Sequence, residues 1–416
     1  MSELRPPLLS LDEALTRLAT GGAAARIGEV ERVATFDALG RVLAADVVSA
    51  IDVPPADNTA MDGYALRAAD VSQAGAVLAV SQRIPAGIVG GRLAAGTAAR
   101  IFTGAQVPAG ADAVVMQEQC ETLDGAVRVN TMPQPGQWIR RRGEDVRTGS
   151  SVLRRGSRLT PQALGLAAGV GAATLTVCRR PRVALFSTGD ELVMPGAVPP
   201  DLLPPGAIYN SNRFTLRGLL QAAGCEVSDF GIVPDRLDAT REALRRSAAA
   251  HDLILSSGGV SVGEEDHLRP AVAAEGRVEQ WQVAIKPGKP LAFGAVRREG
   301  NGEALFIGLP GNPVSSFVTF LLAVAPLLRV LQGLPAALPD ALPLPARFDW
   351  PHPDKRREFL RVRRHPAGGL DLFPNQSSGV LTSAVWADGL VDNPPSRAIA
   401  CGDVLAYRPF DALVGA

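Results

Sequence analysis

Five polar segments, four of them with glycine, carry the residue types that bind phosphates and oxyanions. They are Ser187-Thr188-Gly189-Asp190-Glu191, Pro234-Asp235, the run from Ser256 through Gly263 to Asp266, Lys286-Pro287-Gly288-Lys289-Pro290 and Leu309-Pro310-Gly311-Asn312-Pro313. Glycine lets backbone N–H groups approach an anion more closely than a β-carbon would allow. Ser257, Gly258, Gly259, Val260, Ser261 and Gly263 precede one predicted helix, and Pro310, Gly311, Asn312 and Pro313 precede another. In both, helix N–H groups and the helix dipole would add to the anion site. Lys286 and Lys289 supply cations, and Asp190, Glu191, Asp235 and Asp266 are the oxygen ligands that Mg²⁺ takes alongside phosphates.

Taken singly, each segment has a bland explanation. A Gly-Gly after a strand is usually a turn, Lys-Pro-Gly-Lys can be a solvated loop, and Asp190-Glu191 can cap the next segment. Their shared position is what matters. The first four follow predicted strands and the fifth comes later in the same unit, and ligands of open α/β sheets bind beyond the carboxyl ends of strands, where strand order reverses. The Walker and Rossmann glycine patterns are absent, which argues against a P-loop nucleoside triphosphatase and a nicotinamide enzyme.

The elements that must hold these loops read as strand, loop and helix in repetition. Predicted strands cover 183–187, 225–233, 252–256 and 278–285, and predicted helices cover 212–223, 238–250, 266–274 and 314–331. That alternation calls for a parallel sheet with helices on both faces. Upstream, Ser10-Leu11-Asp12-Glu13 reads as a capping box opening a helix that Gly21-Gly22 should stop. Short strands such as 76–80, 98–102 and 113–117 mark a β-rich insertion over 51–143. Thr160–Ala168 is helical again, with Pro161 in its first turn. Proline-rich 333–345 reads as a linker to a small terminal β domain. The expected division is 1–50 with 144–180, an insertion over 51–143, an α/β domain over 181–333 and a β domain over 334–416.

Bulk properties narrow the function class. The 416 residues suggest several domains, and Lys+Arg and Asp+Glu are both 42, so no global positive field favours nucleic acid. Cys120, Cys178, Cys225 and Cys401 form no CxxC pair and read as buried free thiols of a reducing cytoplasm. No signal peptide is visible. The apolar run 317–328 is broken by Pro326 and reads as too short to cross a bilayer. A soluble cytoplasmic protein is expected.

Several further segments complete a resemblance: Asp57-Asn58-Thr59-Ala60-Met61-Asp62-Gly63-Tyr64-Ala65, Thr103-Gly104-Ala105, Arg142-Gly143-Glu144-Asp145 and Gly379-Val380-Leu381-Thr382-Ser383. With the four glycine-bearing loops, in this order, the chain resembles the molybdopterin molybdenumtransferase family, called MoeA in bacteria and the gephyrin E domain in animals. The resemblance implies a multidomain α/β plus β protein. It would comprise a central doubly wound molybdopterin-binding domain, an elongated discontinuous N-terminal domain with a β-rich insertion, and a C-terminal β-barrel-like domain. It implies insertion of molybdate into adenylated molybdopterin with release of AMP, assisted by Mg²⁺. Carried over by position, Asp62, Thr103, Glu191, Asp235 and Asp266 match the family's catalytic positions. Thr59 stands where serine is common. Also implied are a homodimer, with Asp62 completing the site from another domain or subunit, and contacts with the pathway's adenylyltransferase and recipient molybdoenzymes. A non-catalytic pterin-binding scaffold, the adenylyltransferase itself and a generic phosphohydrolase are the competing readings.

Overall fold

The computed structural model describes residues 8–260, 267–300 and 302–415. Two compact units result, one from residues 32–177 and the other from the N-terminal segment to residue 31 together with 178–416. Ser261, Gly263 and Asp266 lie outside the described residues.

In the 32–177 unit a six-stranded sheet runs in the order 113–116, 63–66, 97–101, 76–84, 126–129, 120–123. Its alternating side chains feed two small cores. Tyr64, Leu66, Val115 and Val127 point to one, and Ala65, Ile101 and Val114 to the other. A third core joins Leu43 and Val47 from before this sheet to Val146, Leu159 and Val177 from after it. The helix Pro161–Gly169 contributes Ala167 to that core and is capped by Thr160, whose Oγ accepts from the Ala163 N–H at 3.2 Å.

The other unit is built on six strands: β1 (Arg182–Thr188), β2 (Glu226–Val233), β3 (Leu253–Ser257), β4 (Gly276–Gln282), β5 (Pro290–Arg297) and β6 (Glu303–Leu309). Their order is β2-β1-β3-β6-β5-β4. The first four are parallel, whereas β5 and β4 run antiparallel at one edge. The sheet is therefore mixed rather than wholly parallel. Hydrophobic side chains at successive positions of the central strands explain why helices cover both faces. Val183, Leu185, Leu253, Leu255 and Ile307 face one core, and Ala184, Phe186, Ile254 and Phe306 face the other. Helices α1 (Leu11–Ala24), α2 (Ser211–Ala222) and α5 (Pro313–Leu331) pack on the first face. Helices α3 (Leu237–Ala250) and α4 (Leu268–Glu275) pack on the second.

Several sequence expectations need correction. The capping box opens α1 as expected, Ser10 N–H donating to Glu13 Oε2 at 2.8 Å, but Gly21-Gly22 does not stop it. A β-carbon would lie 2.7 Å from Phe293 Cζ at Gly21 and 2.6 Å from Leu327 Cδ1 at Gly22. These glycines serve close packing inside the helix. Pro326 does not break α5 either. A π-helical turn at Phe320–Val324 precedes it, and the helix spans 19 residues. Its length and apolarity suffice to cross a membrane, but 94% of its apolar window is buried in this unit, where it fills the core. The expected linker ends early, because Leu342–Pro345 is a strand. Its prolines are tolerated because it lies at a sheet edge, against Val404–Pro409. Of the cysteines only Cys178 and Cys225 are buried; Cys120 is intermediate and Cys401 exposed.

The terminal sheet contains one strand from outside itself. Its order is 285–286, 357–364, 389–393, 404–409, 342–345. The stretch read as one strand over 278–285 thus splits. β4 ends at Gln282, and Ile285–Lys286 pairs in parallel with Arg357–Glu358. The lysine loop is held by the C-terminal sheet as much as by the α/β sheet.

Candidate functional site

The chain reverses direction between β1 and β3. From β1 it crosses through α2 to β2 on one face, and from β2 it crosses through α3 to β3 on the other. The loops that follow β1 and β3 open at this switch point, and they are tightly fitted. A β-carbon on Gly258 (φ +88°) would stand 2.6 Å from Thr188 O, and one on Gly259 would stand 2.8 Å from Thr188 Oγ1. Only glycine meets both the left-handed backbone and the close approach. The Gly258 N–H donates to Leu309 O at 3.1 Å, tying the β6 loop to the same place. Asn212 Nδ2, in the first turn of α2, donates to Gly311 O at 2.7 Å.

Thr188, Gly189, Asp190, Glu191, Asp235, Gly258, Gly259, Val260, Pro310 and Gly311 therefore belong to one crevice. Asp235 N–H donates to Asp190 Oδ1 at 3.1 Å, so the loops after β1 and β2 also touch. Two buried hydroxyl oxygens, Thr188 Oγ1 at the end of β1 and Ser256 Oγ within β3, have no hydrogen-bond partner among the described residues. Buried hydroxyls are ordinarily satisfied, and of the two only Thr188 Oγ1 adjoins Gly258 and Gly259, where it could donate to a ligand. Ser257 is occupied otherwise, its hydroxyl 3.2 Å from that of Ser187.

Lys286 and Lys289 line a neighbouring cavity of about 380 Å³, together with Gly288, Asn312, Ser315, Arg356, Gln376, Ser377 and Ser378. Asn312 is also the N-cap residue of α5, next to Pro313 at the first helical position, and its side chain makes no capping bond. The two lysines differ in their surroundings. Lys286 Nζ lies 3.3 Å from Glu358 Oε1 and 3.5 Å from Asp354 Oδ2. Glu358 is 1% exposed and also accepts from Trp350 Nε1 at 2.9 Å. Arg356 grips Asp354 with two bonds, of 3.0 and 2.9 Å, and holds that carboxyl well below the usual range. Lys289 has no carboxylate partner among the described residues, so its charge faces the cavity uncompensated.

The sequence reading missed Arg356, Gln376, Ser377 and Ser378. The polar run Asn375-Gln376-Ser377-Ser378 was a weak signal, but nothing local places it beside Lys286. The pairing of Ile285–Lys286 with Arg357–Glu358 does that.

Asp62 and Thr103 lie in the 32–177 unit, and the structure brings them together. Asp62 Oδ1 accepts from Thr103 Oγ1 at 2.6 Å and from Thr103 N–H at 2.7 Å. These bonds lower the Asp62 carboxyl below its ordinary value, with the nearby Arg100 guanidinium assisting. The result is an oriented carboxylate that stays ionised. Asp57 is engaged by Arg142 N–H at 2.8 Å and Arg141 Nη1 at 2.7 Å, which organises the turn before it. A larger cavity of about 600 Å³ in this unit, around Phe36, Leu39 and Leu164, has no ionisable group in its wall and offers no chemistry.

Among the described residues no three His, Cys, Asp or Glu side chains gather as a metal cage. Mg²⁺ usually needs only one or two carboxylates and completes its shell with water and substrate phosphates. The loops carrying Asp190 and Asp235 are joined by the Asp235 N–H on the Asp190 carboxylate, which puts two acidic residues on adjoining loops.

Comparison with known proteins agrees with this layout. Three family models match: the MoeA N-terminal region (domain I and II) over residues 9–171, a probable molybdopterin binding domain over 184–330 and the MoeA C-terminal region (domain IV) over 343–410. Molybdopterin molybdenumtransferase of Haemophilus influenzae is 44% identical over 387 residues, covering 91% of this chain and 93% of that protein. Its counterpart in Nostoc is 38% identical over 377 residues, covering 88% and 85%. The crystal structure of the molybdopterin biosynthesis moeA protein from Pyrococcus horikoshii superposes with a TM-score of 0.82 at 29% identity, over 97% of this chain and all of that one. With relatives this similar along nearly their whole length, the chain belongs to the MoeA family of molybdopterin molybdenumtransferases.

Proposed function

We propose that the chain inserts molybdate into adenylated molybdopterin and releases AMP. One observation carries this reading. The glycine-lined crevice and the cationic cavity meet across two consecutive residues, because the Gly311 β-position is 3.9 Å from Gly258 Cα while Asn312 lines the cavity. A nucleotide–pterin ligand and a tetrahedral oxyanion would therefore bind side by side.

In the crevice, the Gly258 and Gly259 backbone and the Thr188 hydroxyl orient the phosphate end of the adenylated pterin. In the cavity, Lys289 provides positive charge, Arg356 stands beside it paired with Asp354, and Ser315, Ser377 and Ser378 provide hydroxyl donors for molybdate. Mg²⁺, when bound with the phosphates, would supply charge stabilisation for adenylate cleavage, held by Asp190 and Asp235 with Glu191 and Asp266 as the other candidates. Asp62, oriented by Thr103, is the carboxylate to which the family resemblance assigns a part in the chemistry. A cytoplasmic homodimer that meets the adenylyltransferase and recipient molybdoenzymes belongs to the same proposal.

The test is AMP release from adenylated molybdopterin and Mg²⁺, with and without molybdate. Molybdate-dependent release that Asp62→Asn abolishes supports the proposal. Binding of the pterin without molybdate-dependent release would overturn it in favour of a binding scaffold.

A further inference from the structure

Behind the cavity wall formed by Gln376-Ser377-Ser378 lies Arg361, whose side chain is fully buried in the C-terminal sheet at 1% exposure. Its guanidinium donates to Ser383 Oγ at 3.2 Å, to Phe359 O at 3.2 Å and to Ser377 O at 3.4 Å. All three acceptors are neutral. Among the described residues no carboxylate lies within ion-pair distance of it, whereas Arg356 and Arg357 on the same segment are both paired. Buried charges are ordinarily compensated, because burial without a counter-charge is costly. Burial pushes this guanidinium down to about 10, which still leaves it charged at neutral pH.

The backbone of the same residue anchors the wall. Arg361 N–H donates to Gln376 Oε1 at 2.9 Å, and Gln376 Nε2 donates to Arg361 O at 3.0 Å and to Phe373 O at 2.8 Å. Ser378 O accepts from the Val314 N–H at 3.0 Å, fixing the far end of this wall to the first turn of α5. The serines that face the cavity are thus held between a buried cation and a helix start.

We infer that Arg361 is a positioning residue for the oxyanion cavity, fixing the Ser377-Ser378 wall and supplying a permanent positive charge that a bound dianion compensates. This rests on the reading of that cavity as the molybdate site. Arg361 touches no substrate. Its charge acts from a medium that screens poorly, so its removal weakens oxyanion binding and leaves the adenylated pterin, bound in the neighbouring crevice, unaffected.

The experiment compares the full-length wild type with Arg361→Met, Arg361→Lys, Ser383→Ala and Lys289→Ala. It measures molybdate binding by calorimetry and KM for molybdate and for adenylated molybdopterin in the AMP-release assay. Arg361→Met should raise KM for molybdate about tenfold or more while KM for the adenylated pterin stays within about twofold. Arg361→Lys, which keeps the charge, should recover most of the loss. Ser383→Ala, which removes only one acceptor, should raise KM for molybdate a few-fold and keeps the inference testable if Arg361→Met does not fold. Wild-type molybdate binding in Arg361→Met, or an equal rise in both KM values, overturns the inference. If Lys289→Ala weakens molybdate and Arg361→Met does not, the positioning role fails alone. If neither weakens it, the cavity is not the molybdate site.

Discussion

Lys286 and Lys289 look interchangeable in the sequence, but the structure predicts that replacing them has opposite consequences. Lys289→Ala removes an ammonium that faces the cavity without a carboxylate partner among the described residues. Two unit charges at about 4 Å attract by roughly 1 kcal/mol in water and roughly 4 kcal/mol at an effective dielectric of about 20. Lys289 is half-buried, so a loss of about 1–2 kcal/mol is expected, which corresponds to molybdate affinity weaker by roughly 5- to 30-fold. Stability should hardly change.

Lys286→Ala instead strips a partner from Glu358, which is 1% exposed and, among the described residues, would keep the Trp350 indole donor at 2.9 Å and the nearby Arg356 charge. Breaking a fully buried ion pair costs about 3–5 kcal/mol. The Lys286 side chain is 38% exposed, which reduces the expected cost to about 1–2 kcal/mol. At roughly 2–4 °C per kcal/mol for a domain of this order, Tm should fall by about 2–8 °C. Because Glu358 and Asp354 together already balance Lys286 and Arg356, molybdate affinity should drop by only about threefold or less. Calorimetric titration with molybdate and thermal unfolding of each variant separate these effects. Equal affinity losses in the two variants with unchanged Tm would refute the argument, because Lys286 would then be serving as a free cation.

Three further predictions follow from particular contacts. Replacing Thr103 with Val removes one of the two bonds that lower the Asp62 carboxyl, so its titration, followed by carboxyl carbon NMR, should move up towards the ordinary aspartate value. The sign follows from the depressed folded value. Any stability that Asp62 contributes is present above the unfolded aspartate value and is lost as pH falls through the folded one. With burial pushing Cys225 up to about 12 and Cys120 up to about 11, an aromatic disulfide reagent near pH 8 should show one fast thiol per native chain, and Cys401→Ser should abolish it. Gly22→Ala should destabilise the protein by about 1–3 kcal/mol despite alanine's better helix propensity, because its β-carbon would meet Leu327 at 2.6 Å. A rise in Tm would show that α1 can shift to make room.

What the sequence revealed was set by how local each feature is. The Ser10–Glu13 box and the Thr160-Pro161 helix start are complete within four residues, and both were legible. The central strands β1 and β3 were legible for a similar reason, since a two-sided core leaves its mark on every residue, whereas β5 and β6 were not read as strands. Three glycine and proline positions were misread because their neighbours in the fold decide their role. Gly22 meets Leu327, Pro326 follows a π turn, and Pro343 lies at an edge that exists only because Val404–Pro409 pairs with it.

The candidate site divides in the same way. Its anion-binding character was visible in the glycines and lysines, and the crevice at the β1–β3 switch follows from strand order. The difference between Lys286 and Lys289 was not visible, because it arises from the pairing of Lys286 with Glu358 across 72 residues of sequence. That one short strand explains several features of the cavity. It compensates Lys286, sets the segment carrying Arg356 beside the lysine loop, and leaves Lys289 as the exposed charge. A change that unpairs Ile285–Lys286 from Arg357–Glu358 should therefore impair oxyanion binding without altering any residue that touches the ligand, and the loops of the adenylate crevice should be spared.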